Sequence, residues 1–251
     1  MQYPPNLASA VGLARTTTPL TARRPARSVS RRHQHHNRTG RESAARRERI
    51  YLYADCGKLR AMKRYQTLLF DLFNTVALWH PERMPKLTWD GHTGPSTLGE
   101  LGKILATERP DLGFTEFHQA FTQSNEALAT ERGRTQREIP SRERFSRALQ
   151  HAGEAPGDAT EALAETLSLR HMDILAGASA IPASHAALLG RLKSRYALAL
   201  VSNFDHQPTA LRILDRDGVS DHFSHIVVSD GHGWRKPHLR IFADTLQALG
   251  H

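Results

Sequence analysis

The chain has 251 residues, 39% of them apolar, which is enough to bury the interior of one large domain or of a core carrying an insertion. Its single cysteine, Cys56, excludes an intramolecular disulfide and fits a reducing, cytoplasmic setting, and no run of about 18 apolar residues calls for a membrane span. The formal charge of +9 would suggest nucleic acid were it spread evenly, but residues 1–61 hold 13 Arg and Lys against Glu42, Glu48 and Asp55, while the remainder holds 21 against 22 acids. The body of the chain is near neutral, so specific nucleic-acid binding is not expected of it.

Residues 1–61 are rich in Arg, Ser, Thr, Ala and His and lack hydrophobic periodicity. The like charges of RRHQHHNRTGRESAARRER oppose compaction, which predicts a disordered basic extension. Three origins compete for it: translation beginning at Met62, a flexible tail, or an Arg-rich transit peptide. The first is favoured because MKRYQTLLFDL enters a strand at once. His33, His35 and His36 lack a rigid frame for a metal ion, and Cys56 reads as an incidental thiol.

From Tyr65 to Leu72 an apolar run rich in strand formers ends in Asp71, predicting a buried parallel strand with a carboxylate at its carboxyl end. Residues 80–180 read as a helical insertion. Thr97 with Glu100 and Asp158 with Glu161 have capping-box spacing, and Phe117 with Phe121 and Phe145 with Leu149 repeat at helical spacing, best explained by core packing. After Pro182 helix and strand alternate: a helix capped by Ser184 and running to Lys193, the strand YALALVSN, a helix from Pro208 to Arg216, the strand HIVVSD, and a helix from Pro237 to Leu249 with Phe242, Leu246 and Leu249 on one face. Such alternation predicts an α/β fold with a doubly wound parallel sheet.

Three short motifs lie at predicted strand ends or loops: LLFDLFNTV with Asp71 and Thr75, LALVSNFD with Ser202 and Asn203, and GWRKPHLRIF with Lys236. A carboxylate at a strand end can attack carbon or phosphorus and split one hard displacement into two easier ones. The Ser202 hydroxyl can donate to an oxygen of the transferred group, and the Lys236 ammonium can offset the negative charge gathered there. Singly, each residue is a common loop or cap feature. In this order and spacing they resemble the haloacid dehalogenase (HAD)-like hydrolase superfamily, in the subgroup with a helical cap. The resemblance covers Tyr65 to the end of the chain. It implies a Rossmann-like core from residues 62–79 and 181–251, a cap from 80–180, a small organic substrate, Asp71 as nucleophile, Ser202 and Lys236 as catalytic supports, and Thr75 and Asn203 as substrate-binding groups. It also implies a magnesium ion held by the Asp71 carboxylate, the Phe73 carbonyl and downstream acids.

Two departures accompany the resemblance. Phosphatases of the superfamily generally carry a second aspartate two residues after the nucleophile, where this chain has Phe73; loss of a positioned acid–base group costs on the order of 10²- to 10⁴-fold in rate. Dehalogenase members commonly carry an aromatic residue there, since a halide leaves without a proton. The cap arginine of those dehalogenases has no clear equivalent, Arg109 and Arg83 being candidates, and His238 stands in place of an acid that often follows the Lys-Pro pair. The chain also ends at His251, before the segment that carries the family's fourth, acidic motif, which suggests a truncated frame and an exposed sheet edge. Asp205, His206 and Asp230 are expected to be solvated loop residues. A phosphoester or haloacid hydrolase, an impaired truncated relative, and a nucleic-acid binder acting through the basic extension therefore compete, in that order.

Overall fold

The computed structural model describes residues 65–251; the basic extension, Met62, Cys56 and the histidines near residue 35 lie outside the described residues. In chain order the elements are β1 (Thr67–Phe70), β2 (Leu78–Trp79), β3 (Lys86–Trp89), β4 (His92–Pro95), α1 (Leu98–Glu108), α2 (Phe114–Thr135), α3 (Ser141–His151) and α4 (Asp158–Gly177). There follow β5 (Ser179–Ala180), α5 (Ala183–Lys193), β6 (Ala197–Ser202), α6 (Gln207–Arg216), β7 (His225–Val228), the single turn α7 (Ser229–His232) and α8 (Leu239–Ala248).

Strands β1, β6 and β7 form a parallel sheet in the order β1-β6-β7, with Leu69 opposite Ala199 and Leu200 opposite Ile226. Side chains alternate across this sheet. Leu198, Leu200 and Val228 enter a core with Leu189 of α5 and Ala210, Ile213 and Leu214 of α6. Val201 and Val227 point the other way, onto Ile241 of α8. Helices therefore cover both faces, as the strand–helix alternation predicts. Asp71 follows β1, Ser202 closes β6 and Ser229 follows β7, so the three polar groups share the carboxyl edge of the sheet.

Between β2 and β5, which pair antiparallel, helices α1 to α4 build a second core. Phe117, Phe121 and Phe145 are fully enclosed there, with the Phe121 and Phe145 rings stacked at 5.3 Å. The helical spacing of those aromatics thus marks core packing. The β3–β4 hairpin is a departure from an all-helical insertion. Its turn uses Asp90 and Gly91, both at positive φ, the dipeptide chemistry that a two-residue hairpin favours.

Several predicted caps are replaced. Thr97 precedes α1, but Ser96 Oγ accepts from Leu98 N, while Thr97 Oγ1 pairs with His171 Nδ1 at 2.8 Å and Glu100 binds Lys103 and Arg170. Asp158 lies inside α4, after Gly157, and Ser184 lies inside α5, after Pro182. Ser229 and Asp230 belong to α7, so β7 ends at Val228 rather than running through Asp230. Among the described residues no helix is long and apolar enough to cross a membrane.

His171 is enclosed by the helical core, and burial, reinforced by the nearby Arg144 guanidinium, pushes its imidazole down from 6.5 to about 3. The unfolded chain takes up this proton below pH 6.5 whereas the folded chain stays neutral to about 3. His171 therefore contributes stability in full above pH 6.5, and that contribution is lost as the pH falls towards 3, at up to about 1.4 kcal/mol per pH unit. Urea titrations between pH 7 and 4 are expected to show a shallower fall in stability for His171→Asn than for the parent chain.

Candidate active site

Asp71 emerges from β1 with its side chain 45% exposed, and its Oδ1 accepts from Leu72 N at 2.8 Å. The chain then folds tightly back: Val76 N and Ala77 N both donate to Leu72 O, and Asn74 takes the left-handed conformation at φ 57°, which Asn tolerates better than most residues. Thr75 is exposed in this turn. Phe73 points away from solvent, its ring tilted against Phe204 with centroids 4.7 Å apart.

Lys236 Nζ lies 2.9 Å from Asp71 Oδ1 and donates to Val201 O at 2.6 Å. Its main chain is held as firmly. Asn203 Nδ2 donates to Lys236 O at 2.9 Å, and Lys236 N donates to Asn203 Oδ1 at 2.7 Å. Both ends of the Asn203 carboxamide are thus committed to the backbone of Lys236. Ser202, between Val201 and Asn203, is fully enclosed, and its Oγ has no hydrogen-bond partner among the described residues, an arrangement that costs about 1–3 kcal/mol. The structure therefore brings Asp71, Ser202, Asn203 and Lys236 to one sheet edge.

His238, standing where an acid often follows the Lys-Pro pair, caps α8: its Nδ1 accepts from Arg240 N at 3.1 Å. Its ring stacks on Trp234 at 3.8 Å, with Arg137 over the same indole at 4.0 Å. Arg109, the C-cap of α1, is engaged by Asp111 and Glu154, and Arg83 is exposed in a 3₁₀ turn at Pro81–Arg83.

A buried ionic cluster adjoins the site, and the sequence reading did not foresee it. Arg132 Nε meets Glu138 Oε1 at 3.2 Å, Arg132 and Arg144 meet Asp205 Oδ2 at 3.3 and 3.5 Å, and Arg235 binds Glu138 Oε2. Asp205 is thus a buried ion-pair partner and not a solvated loop residue, because the α2–α3 connection covers it. Burial acts to raise its carboxyl, but the Arg144 and Arg132 guanidiniums outweigh that and hold it below the usual range. Asp230 likewise has a defined task, accepting from Gln207 N at the start of α6, and His206 Nδ1 pairs with Thr209 Oγ1 at 2.9 Å. Charges spaced along helices read as a solvated face, so only the register of Arg132, Glu138 and Arg144 around a chain reversal offered a signal.

A haloacid dehalogenase-like hydrolase model matches residues 65–251. The chain belongs to the haloacid dehalogenase-like hydrolase family. Solved structures of similar fold include a 2-haloacid dehalogenase from Pseudomonas syringae, 19% identical with a TM-score of 0.50, the match covering 73% of this chain and 72% of that one. A putative HAD-hydrolase from Bacillus subtilis, bound to magnesium, is 18% identical with a TM-score of 0.45 and 74% of each chain covered. A predicted phosphoglycolate phosphatase from Haemophilus somnus is 17% identical with a TM-score of 0.44, covering 76% of this chain and 74% of that one. No curated protein sequence matches this family member.

Asn203 supplies two hydrogen bonds to the main chain of Lys236. Truncation in Asn203→Ala is expected to cost about 1–3 kcal/mol, read as a lower urea midpoint with an unchanged m value.

Proposed function

We propose that this HAD-like hydrolase cleaves the carbon–halogen bond of a small haloacid through an ester on Asp71. The observation that carries this reading is Phe73. Two residues beyond the nucleophile the chain presents a phenyl ring, 7% exposed and packed on Phe204, in place of a carboxylic acid. An alkoxide leaving group needs a proton at that point, and a halide does not.

In the first step an Asp71 carboxylate oxygen attacks the carbon bearing the halogen, the new carbon–oxygen bond forms as the carbon–halogen bond breaks, and the halide departs with the electron pair. Lys236, 2.9 Å from Asp71 Oδ1, orients the carboxylate and offsets the charge of an anionic substrate. Water then adds to the ester carbonyl, releasing the hydroxy acid and one proton and restoring the carboxylate. Ser202 is assigned the hydrogen bond to the ester or substrate oxygen, and Thr75 lies on the exposed turn beyond Asp71 as a substrate contact. The segment 80–180 is read as a cap that selects the substrate, and Asn203 as a group that binds substrate indirectly, through the set of Lys236.

Magnesium, which the family commonly employs, would find the Asp71 carboxylate and the Phe73 carbonyl. Among the described residues no group of three or more His, Cys, Asp or Glu is placed to hold a metal ion, since Asp205 is paired with arginines and Asp230 caps α6. The residues described do not build the cage, and no step is assigned to the ion.

The purified chain is expected to release chloride from 2-chloropropionate, with turnover falling at least about a thousandfold in Asp71→Asn. In ¹⁸O-water, single-turnover reactions should place the label on the Asp71 peptide before the product, read by mass spectrometry. Turnover of 4-nitrophenyl phosphate without halide release would replace this reading with the phosphoester one, and inertness towards both would favour a catalytically impaired member.

A further inference from the structure

The α2–α3 connection makes a docked seam with the loops of the sheet edge. Glu138 N donates to Gly233 O at 3.1 Å, Arg235 N to Gln136 O at 2.8 Å, and Ser141 N to Asp205 O at 2.7 Å. Glu138 is the residue on which the seam converges. It is 9% exposed overall and its carboxylate is almost wholly enclosed. One oxygen, Oε1, accepts from Ile139 N at 3.0 Å and faces Arg132; the other, Oε2, accepts from Ser229 Oγ and from Arg235.

Those last two partners flank the Asn203–Lys236 clasp. Ser229 Oγ accepts from Phe204 N at 2.9 Å, and Phe204 follows Asn203 directly. Arg235 precedes Lys236 directly. A single carboxylate therefore holds Arg235, next to Lys236, directly and Phe204, next to Asn203, through the Ser229 hydroxyl. We infer that Glu138 is a positioning residue for Lys236, coupling the seating of the inserted helical segment to the placement of the ammonium beside the nucleophile.

The physical case rests on what the carboxylate must do where it lies. Enclosed, it needs its hydrogen bonds satisfied: Ile139 N supplies one from its own segment and Arg132 faces it as an ion-pair partner, while Ser229 and Arg235 supply theirs only while the connection is seated. Without the Glu138 carboxylate Arg235 would lose this acceptor and Ser229 Oγ would keep only Phe204 O at 3.3 Å, so the loops bearing Lys236 and Asn203 would be left with the clasp itself as their tie. Loss of the Glu138 carboxylate would accordingly loosen Lys236 beside Asp71 and slow chemistry there. The kinetic consequence rests on the proposed roles of Asp71 and Lys236; the placement of Lys236 does not.

The test uses the full chain and two readouts. Amine labelling of Lys236, followed by peptide mass spectrometry against Lys86, Lys103 and Lys193 in the same molecule, reports its placement without any substrate. In Glu138→Gln the Lys236 rate should rise about threefold to fivefold relative to the other three, the range that release of a partly exposed ion pair allows. With 2-chloropropionate, kcat should fall by about a hundredfold, as misplacement of a supporting group implies, with KM changed much less. Ser229→Ala, which cuts one arm and keeps the buried charge paired with Arg235, should raise Lys236 labelling in the same sense and serves if Glu138→Gln does not fold. Unchanged relative labelling in a folded variant, or an equal rise at all four lysines, overturns the inference. Selective labelling of Lys236 with no turnover by the parent chain upholds the positioning role and defeats the proposed chemistry instead.

Discussion

Lys236 and Asp71 come from segments 165 residues apart, yet their charged atoms stand 2.9 Å from each other with both side chains partly exposed. In bulk water a contact of that length is worth little, because solvent screens it and both side chains lose freedom in making it. Here the loss of freedom is prepaid. Val201 O fixes the ammonium from one side, and the Asn203 carboxamide fixes the main chain beneath it. The rest of the architecture can be understood as what this pair requires: a sheet that brings three strand ends to one edge, loops short enough to stay there, and a packed layer that stops them moving.

The sheet supplies the first requirement through alternation. Leu198 and Leu200 face the α5–α6 layer while Val201 faces α8, so a slip of one residue in β6 would move Ser202 to the other face and turn the leucines onto α8. The register that buries the apolar side chains is therefore the same register that sets Ser202 and Asn203 at the carboxyl edge of the sheet. Stability and the site are set by one choice.

The ionic cluster beside the Asp71–Lys236 pair follows a different logic. Three guanidiniums, from Arg132, Arg144 and Arg235, share two carboxylates, Glu138 and Asp205, in a region closed to water. Buried pairs of this kind add little net stability over well-packed apolar side chains, because desolvation consumes most of the Coulombic gain. Their strength is directional. An apolar seam tolerates small sliding, whereas fixed donors and acceptors accept one placement, and breaking any member strands a charge. Such a cluster suits a boundary where the position of one loop against another decides whether an ammonium meets its carboxylate.

Much of this was legible in the sequence, since strand runs and helical repeats are local signals: LLFDL, LALVSN and HIVV announced the sheet, and the order of Asp71, Ser202 and Lys236 announced the family. The hairpin at residues 86–95 was missed because its four-residue strands are short and its buried side chains few. The burial of Asp205 and the roles of Glu138, Arg132, Arg144 and Ser229 are not legible in the sequence, because a charge carries no mark there of whether water or another charge will face it. Periodicity determined which elements form and which residues stand at their ends. Only the folded chain decided that Asn203 holds a lysine backbone and that one glutamate ties two loops together, since those contacts depend on distances between segments that no local pattern encodes.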